Sequence, residues 1–145
     1  MSVTEMRPDF SGVWELILEK SILRGPAPKR LLVRIKHREP ELTQQLLITY
    51  ADDRQVRMTF VFQTDALRGN TIGGATLRTR AWWEGPELVF ESTMESSVRM
   101  AHYKDHWSLS TDGRTLTMEH RDDDLAGQIS VLEKCSADAA QFEEQ

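Results

Sequence analysis

Cysteine is almost absent from this chain: Cys135 stands alone, which excludes an internal disulfide framework. Long apolar runs are missing as well. No window approaches the roughly 18 apolar residues that cross a bilayer as a helix, so no membrane span is expected. The opening residues, MSVTEMRPDF, have neither the basic start nor the apolar centre of a secretory signal. Together with the single thiol, this places the sequence as given in a reducing cytoplasm, although a secreted or periplasmic chain with its leader trimmed would read the same way. No phosphate-cradling glycine motif and no serine-nucleophile elbow occurs, so no catalytic residue and no cofactor is assigned. Metal ligation is not expected either. His102 and His106 have a helical ligand spacing, but on a strand that separation is roughly 13 Å. The run Asp122, Asp123 and Asp124 lacks the spaced ligands and glycine of a calcium loop.

What is present is an ordinary globular composition, 39% hydrophobic and 28% charged over 145 residues. That length suits one domain over residues 1–145, which buries about two thirds of the surface its unfolded chain would expose. Charge is unevenly spread. Residues 1–83 carry 13 Lys and Arg against 9 Asp and Glu, and residues 84–145 carry 5 against 14, so the halves hold +4 and −9. A dipolar surface or a head-to-tail contact between copies explains this better than nucleic-acid binding, which usually belongs to a basic domain.

The dominant period is two. VWELILE, LLVRIKHRE, LTQQLLITYA, QVRMTFVFQ, ATLRTRAWW, ELVFESTM, VRMAHYKDHWSLS, RTLTMEH and QISVLEK each alternate or run apolar, predicting about nine strands. Turn signals separate them at Glu39-Pro40-Glu41, Asp52-Asp53, Gly69-Asn70, Gly85-Pro86, Asp112-Gly113 and residues 121–127. Short linkers force each strand to pair antiparallel with the next, and a meander without covering helices hides its apolar face by closing. The expected fold is an all-β, up-and-down antiparallel barrel over about residues 9–134, followed by a polar tail over 136–145. The one long connection, Ser21 to Arg30, is a candidate flap over a barrel mouth.

The opening Phe10-Ser11-Gly12-Val13-Trp14 resembles the Gly-x-Trp motif of the calycin superfamily, the lipocalins and fatty-acid-binding proteins. In that family a tryptophan plugs one barrel end. The order of IKHREPELT, NTIGG, AWWEGPELVFES, WSLSTDGRTLTMEH and ISVLEK is similar to that of small bacterial lipocalin-like proteins. The resemblance implies a barrel with an internal cavity and names no ligand. This chain departs from the family in three respects. Residues 21–30 are too short and too proline-rich for a two-helix lid. Arg121, the nearest match to the arginine that stacks on the lipocalin tryptophan, points outward by parity. The glycine-rich continuation of haem-binding nitrobindin-like barrels is missing.

Residues two apart on a strand share a face, which predicts the interior. The inward set runs Leu31, Val33, Ile35 and His37; Leu46, Ile48 and Tyr50; Val56, Met58, Phe60 and Phe62; Leu77, Thr79, Ala81 and Trp83. It continues with Leu88, Phe90, Ser92 and Met94; Tyr103, Asp105, Trp107 and Leu109; Leu116, Met118 and His120; Ile129 and Val131. Arg34, Lys36, Arg38, Arg57, Arg78 and Arg80 then face out, with Trp82 as the one exposed aromatic beside them. Gly73-Gly74 suggests a bulge. An apolar interior with a polar minority suits a small, largely hydrophobic ligand, held against Phe60, Phe62, Phe90 and Tyr103 and oriented by Tyr50, Asp105 or His120. An inward carboxylate needs a partner, and His120 on the next strand is within its reach. Two further readings stay open. Asp105 and His120 would serve an enzyme acting on a small substrate in the same cavity, and the barrel exterior would serve a homodimer.

Overall fold

The computed structural model describes residues 7–123 and 127–135. Asp124 and the expected tail over 136–145 lie outside the described residues. Ten antiparallel strands form one sheet: β1 (Gly12–Leu16), β2 (Arg30–Arg38), β3 (Glu41–Thr49), β4 (Gln55–Gln63), β5 (Leu67–Ile72), β6 (Ala75–Glu84), β7 (Glu87–Glu95), β8 (Met100–Leu109), β9 (Thr115–Arg121) and β10 (Gly127–Lys134). A single 3-10 turn over Leu18–Lys20 is the one helical element among the described residues. No helix there is long and apolar enough to cross a membrane.

Every strand pairs with its sequence neighbour except across one seam, and β1 also pairs with β10, which closes the meander into a near-complete barrel. The seam lies between β4 and β5, the two ends of the sheet order. β5 is the strand beyond the expected nine. Gly69-Asn70 reads as a turn in sequence, yet Gly69 pairs with Arg78 and Asn70 with Leu77 inside a regular ladder. The true turn is Gly73-Gly74, a two-residue hairpin between the paired Ile72 and Ala75, with Gly73 at φ 57°. It is not a bulge.

Asn70 does more than extend β5. Its side-chain Oδ1 accepts from the Val61 N–H at 2.9 Å, and its Nδ2 donates to the Val61 carbonyl at 2.9 Å. The carboxamide thus supplies across the seam one donor and one acceptor that a neighbouring strand would otherwise give. Asn70→Ala is expected to cost about 1–2 kcal/mol and to speed amide exchange at Val61 at least tenfold. Unchanged exchange at Val61 would show that the seam is held by side-chain packing instead.

Alternation places the core as expected on most strands. Phe10, Trp14, Val33, Ile35, Leu42, Phe60, Phe62, Leu77, Ala81, Leu88, Phe90, Trp107, Leu116 and Leu132 are buried in one continuous cluster. Two departures stand out. Arg34 keeps to the outer face but is buried, its Nε donating to Gln45 Oε1 at 2.7 Å, beside an outer cluster of Leu32 and Leu47 with Val13 and Cys135. On β10 the parity is reversed: Leu132 is in the core and Gln128 and Ser130 line the interior, so Ile129 and Val131 take the outer face. There the chain before β2 runs beside them, with Ile22 bridged to Ile129 and the Ile17 N–H bonded to the Val131 carbonyl.

One end of the barrel is plugged. Trp14 is fully buried in the core cluster and donates from Nε1 to the carbonyl of Phe10, whose ring in turn stacks on Trp83 and meets Trp107 edge-on. The cation over its ring is Lys134 of β10, Nζ 5.4 Å from the ring centroid, and not Arg121. This explains the glycine two residues earlier. Gly12 has φ 142°, and a Cβ there would meet Lys134 Cε at 2.7 Å.

Candidate functional site

Above the plug the barrel holds a cavity of about 480 Å³. Its floor is aromatic. Phe60 stacks on Phe62 at 6.1 Å, Phe62 meets Phe90 edge-on at 5.1 Å, and Phe90 leans on Trp107 at 4.7 Å between ring centroids. These rings alternate with outward residues on β4, β7 and β8, so strand period alone aims them at one another across the barrel.

Two cross-strand rows carry most of the polar groups. The first runs Phe90, Asp105, His120 and Gln128 over β7 to β10, each residue directly opposite the next. Opposed residues on antiparallel strands share a face, so all four reach the same space. The second runs Thr79, Ser92 and Tyr103 over β6 to β8. Within it the Thr79 and Ser92 hydroxyls bond to each other at 2.8 Å, which satisfies two buried groups.

Asp105 and His120 meet, Oδ1 to Nδ1 at 2.6 Å, and Tyr103 stacks on the imidazole at 5.1 Å. The hydrogen bond to Asp105 holds the His120 pKa above its ordinary value. Burial works against this, while the charges of Asp105 and Asp122 support it and Arg24 opposes it. At the ordinary imidazole pKa His120 is therefore still largely protonated and hydrogen-bonded to Asp105.

The connection before β2 reaches the rim of this cavity. Leu23 packs against the core cluster, the Arg24 N–H donates to Gln128 Oε1 at 3.3 Å, and Arg24 Nη1 pairs with Asp122 Oδ2 at 2.9 Å. The first half of the expected flap is thus tied to β10 and to the end of β9.

Six of the seven residues singled out from sequence line the cavity: Phe60, Phe62, Phe90, Tyr103, Asp105 and His120. Tyr50 does not. It sits past the end of β3 in the turn to β4, with the Arg54 guanidinium 4.7 Å over its ring. Sequence reasoning missed Gln44, Ile72, Gln128 and Ser130, all of which line the cavity. Gln44 carried a usable signal, since it lies between Leu42 and Leu46 on one face of β3. On the outside, His102 pairs with Asp123 and His106 with Glu87. In the basic stripe Arg78 pairs with Glu95, and Trp82 donates to Glu84.

A second polar cluster caps the plugged end. His37 Nδ1 accepts from the Phe10 N–H at 3.2 Å, which puts the ring proton on Nε2, where it is donated to Glu39 Oε2 at 2.6 Å. Glu39 also accepts from Thr64 Oγ1 at 2.8 Å and from Trp83 Nε1 at 3.0 Å. This assembly locks β2, β4 and β6 together and does not touch the cavity.

No protein-family model matches the sequence, and neither does any curated protein. Solved structures do. A secretory abundant heat soluble protein from Ramazzottius varieornatus, solved from a dimer sample, superposes with a TM-score of 0.66 at 12% identity, covering 90% of this chain and 98% of its own. The wild-type fluorescent protein UnaG gives 0.59 at 12%, covering 87% and 97%. The zebrafish ileal bile acid-binding protein complexed with cholic acid gives 0.56 at 18%, covering 87% and 98%. At such identities the likeness is one of fold, and that fold is the all-β, up-and-down antiparallel barrel expected from the strand pattern.

Proposed function

We propose that this protein binds a small, largely hydrophobic molecule inside its barrel, with the apolar body on Phe60, Phe62 and Phe90 and the polar end among Tyr103, Asp105 and His120. The observation that carries this is the cavity itself: about 480 Å³, floored by aromatic rings, with most of its polar groups gathered in two rows. Volumes of roughly 300–1,000 Å³ with an apolar lining and a few convergent polar groups are those of ligand sites. A barrel that existed only to be stable would fill this space, because packing to crystal-like density is what stabilises an interior. The zebrafish bile acid-binding protein, whose fold is the same, holds cholic acid.

Native mass spectrometry of freshly purified protein, with solvent extraction, tests the proposal directly. A stoichiometric small molecule is the expected result, and the same spectrum reads the ratio of monomer to dimer. Ser130→Phe supplies the second arm, because Ser130 lines the cavity from β10 and a phenyl ring there occupies ligand space. Binding of the neutral dye Nile red is expected to weaken at least tenfold in this variant while the thermal midpoint stays within a few degrees. Equal dye binding by both proteins would sink the proposal.

A further inference from the structure

The cavity contains a carboxylate and a histidine, and among the described residues no lysine or arginine lines it. Its other polar groups are neutral: Gln44, Ser92, Tyr103, Gln128 and Ser130. Arg24 at the rim, whose backbone N–H meets Gln128, has its guanidinium held by Asp122 at 2.9 Å. Resting on the ligand-binding reading above, we propose that the cavity selects its ligand by head group, taking a hydrophobic amine in its protonated form and rejecting a hydrophobic carboxylate of the same size.

The argument is one of charge and of hydrogen-bond capacity. Two protonation states of the Asp105 and His120 pair matter near neutral pH. With His120 protonated the pair is neutral overall, and with His120 neutral it carries one negative charge. In neither state is the lining positive. An anionic head entering this space gives up its hydration and finds no net cation to replace it, an uncompensated cost for a buried charge. A protonated amine finds Asp105. That carboxylate is only partly exposed and makes one hydrogen bond among the described residues, to His120, whereas an ionised carboxylate offers about four lone-pair sites. Acceptor capacity therefore remains for an ammonium group, in a partly dehydrated space where such a bond is shorter and stronger than a neutral one. Ser92, Tyr103 and Gln128 lie beside Asp105 or along its row, and each has an oxygen that can accept from the remaining N–H groups.

A head-group series on a constant chain tests this: dodecylamine, dodecanol and dodecanoate, each displacing Nile red at pH 7.5 and about 0.15 M salt, where long-range surface charge is screened. The expected order is amine, alcohol, carboxylate, with the amine at least tenfold tighter than the carboxylate. In Asp105→Asn the amine is expected to fall to within about twofold of the alcohol, with Asp105→Ser as a second variant should the amide perturb folding. Dodecanoate binding as tightly as dodecylamine overturns the inference, and this arm needs only the native protein. So does an unchanged amine preference in both variants, which would assign the effect to the net charge of −5. Nile red bound but displaced by none of the three overturns the head-group inference alone. Failure of Nile red itself to bind brings down the ligand-binding reading, and this inference with it.

Discussion

Replacing Trp14 by alanine is expected to lower the stability of this protein by about 3–5 kcal/mol, the range for removing a large buried aromatic side chain. The upper half of that range is favoured by position. Trp14 is fully buried, and its strand is held on both sides: Trp14 pairs with Val33 of β2 and with Lys134 of β10. A cavity at that point lies where the first and last strands close the barrel, and Phe10, whose carbonyl Trp14 holds, is itself fixed against Trp83 and Trp107 and collapses poorly. The Phe10 carbonyl loses its indole donor, and Lys134 loses the ring it covers. Domains of this size are stable by about 5–15 kcal/mol in total, so the variant retains little margin. Urea unfolding followed by far-ultraviolet circular dichroism measures the loss without relying on indole fluorescence, which Trp82, Trp83 and Trp107 would confuse. Trp14→Phe, which keeps a ring and drops the N–H, is expected to lose about half as much. A cost below about 1 kcal/mol for the alanine variant would mean that the plugged end repacks freely.

The barrel was legible because its pattern is redundant. Inward and outward residues alternate over nearly every strand, so Phe60, Phe62, Phe90, Tyr103, Asp105 and His120 could be aimed at one space from parity alone. The failures share a cause. Parity reasoning sends the apolar set inward, and on β10 the cavity wall is the polar set, Gln128 and Ser130, while Ile129 and Val131 lie outside where the chain before β2 runs. A packed core would have obeyed the rule, and the exception marks where the interior is open. Tyr50 was misplaced for a related reason: the strand period was extended past the point where β3 ends at Thr49. β5 was lost because Gly69-Asn70 has the composition of a turn, and only the tertiary context, Asn70 reaching Val61 across the seam, gives that asparagine its place in a strand. The partner of Trp14 was unreadable from local pattern. Gly12 and Lys134 are far apart in sequence, and their contact exists only once β1 pairs with β10.

The Glu39 cluster yields the second large effect. Glu39→Ala is expected to cost about 2 kcal/mol, the scale of one buried donor left without a partner. Three donors converge on that carboxylate, but they do not suffer equally. Thr64 Oγ1 can turn to the Pro40 carbonyl at 3.3 Å, and Trp83 is only partly buried, so water can reach its N–H. His37 has no such alternative. Its side chain is 3% exposed, its Nδ1 is committed to the Phe10 N–H, and its Nε2–H points at Glu39. The pH dependence follows from the same groups. Burial raises the Glu39 pKa, but the hydrogen bonds from His37, Thr64 and Trp83 outweigh it and hold the carboxyl below its usual 4.5. A folded-state pKa below the unfolded one adds stability that is fully present above about pH 4.5 and is lost as pH falls through the depressed folded value. Because Glu39 is about one-third exposed, this contribution is discounted for solvent screening and stays smaller than the loss on truncation. Urea midpoints of the native protein should therefore decline below about pH 4.5 by more than those of Glu39→Gln, which keeps an acceptor oxygen and cannot titrate. At pH 7 Glu39→Gln should lose less than Glu39→Ala, and equal losses would show that His37 needs the charge of Glu39 and not merely an acceptor.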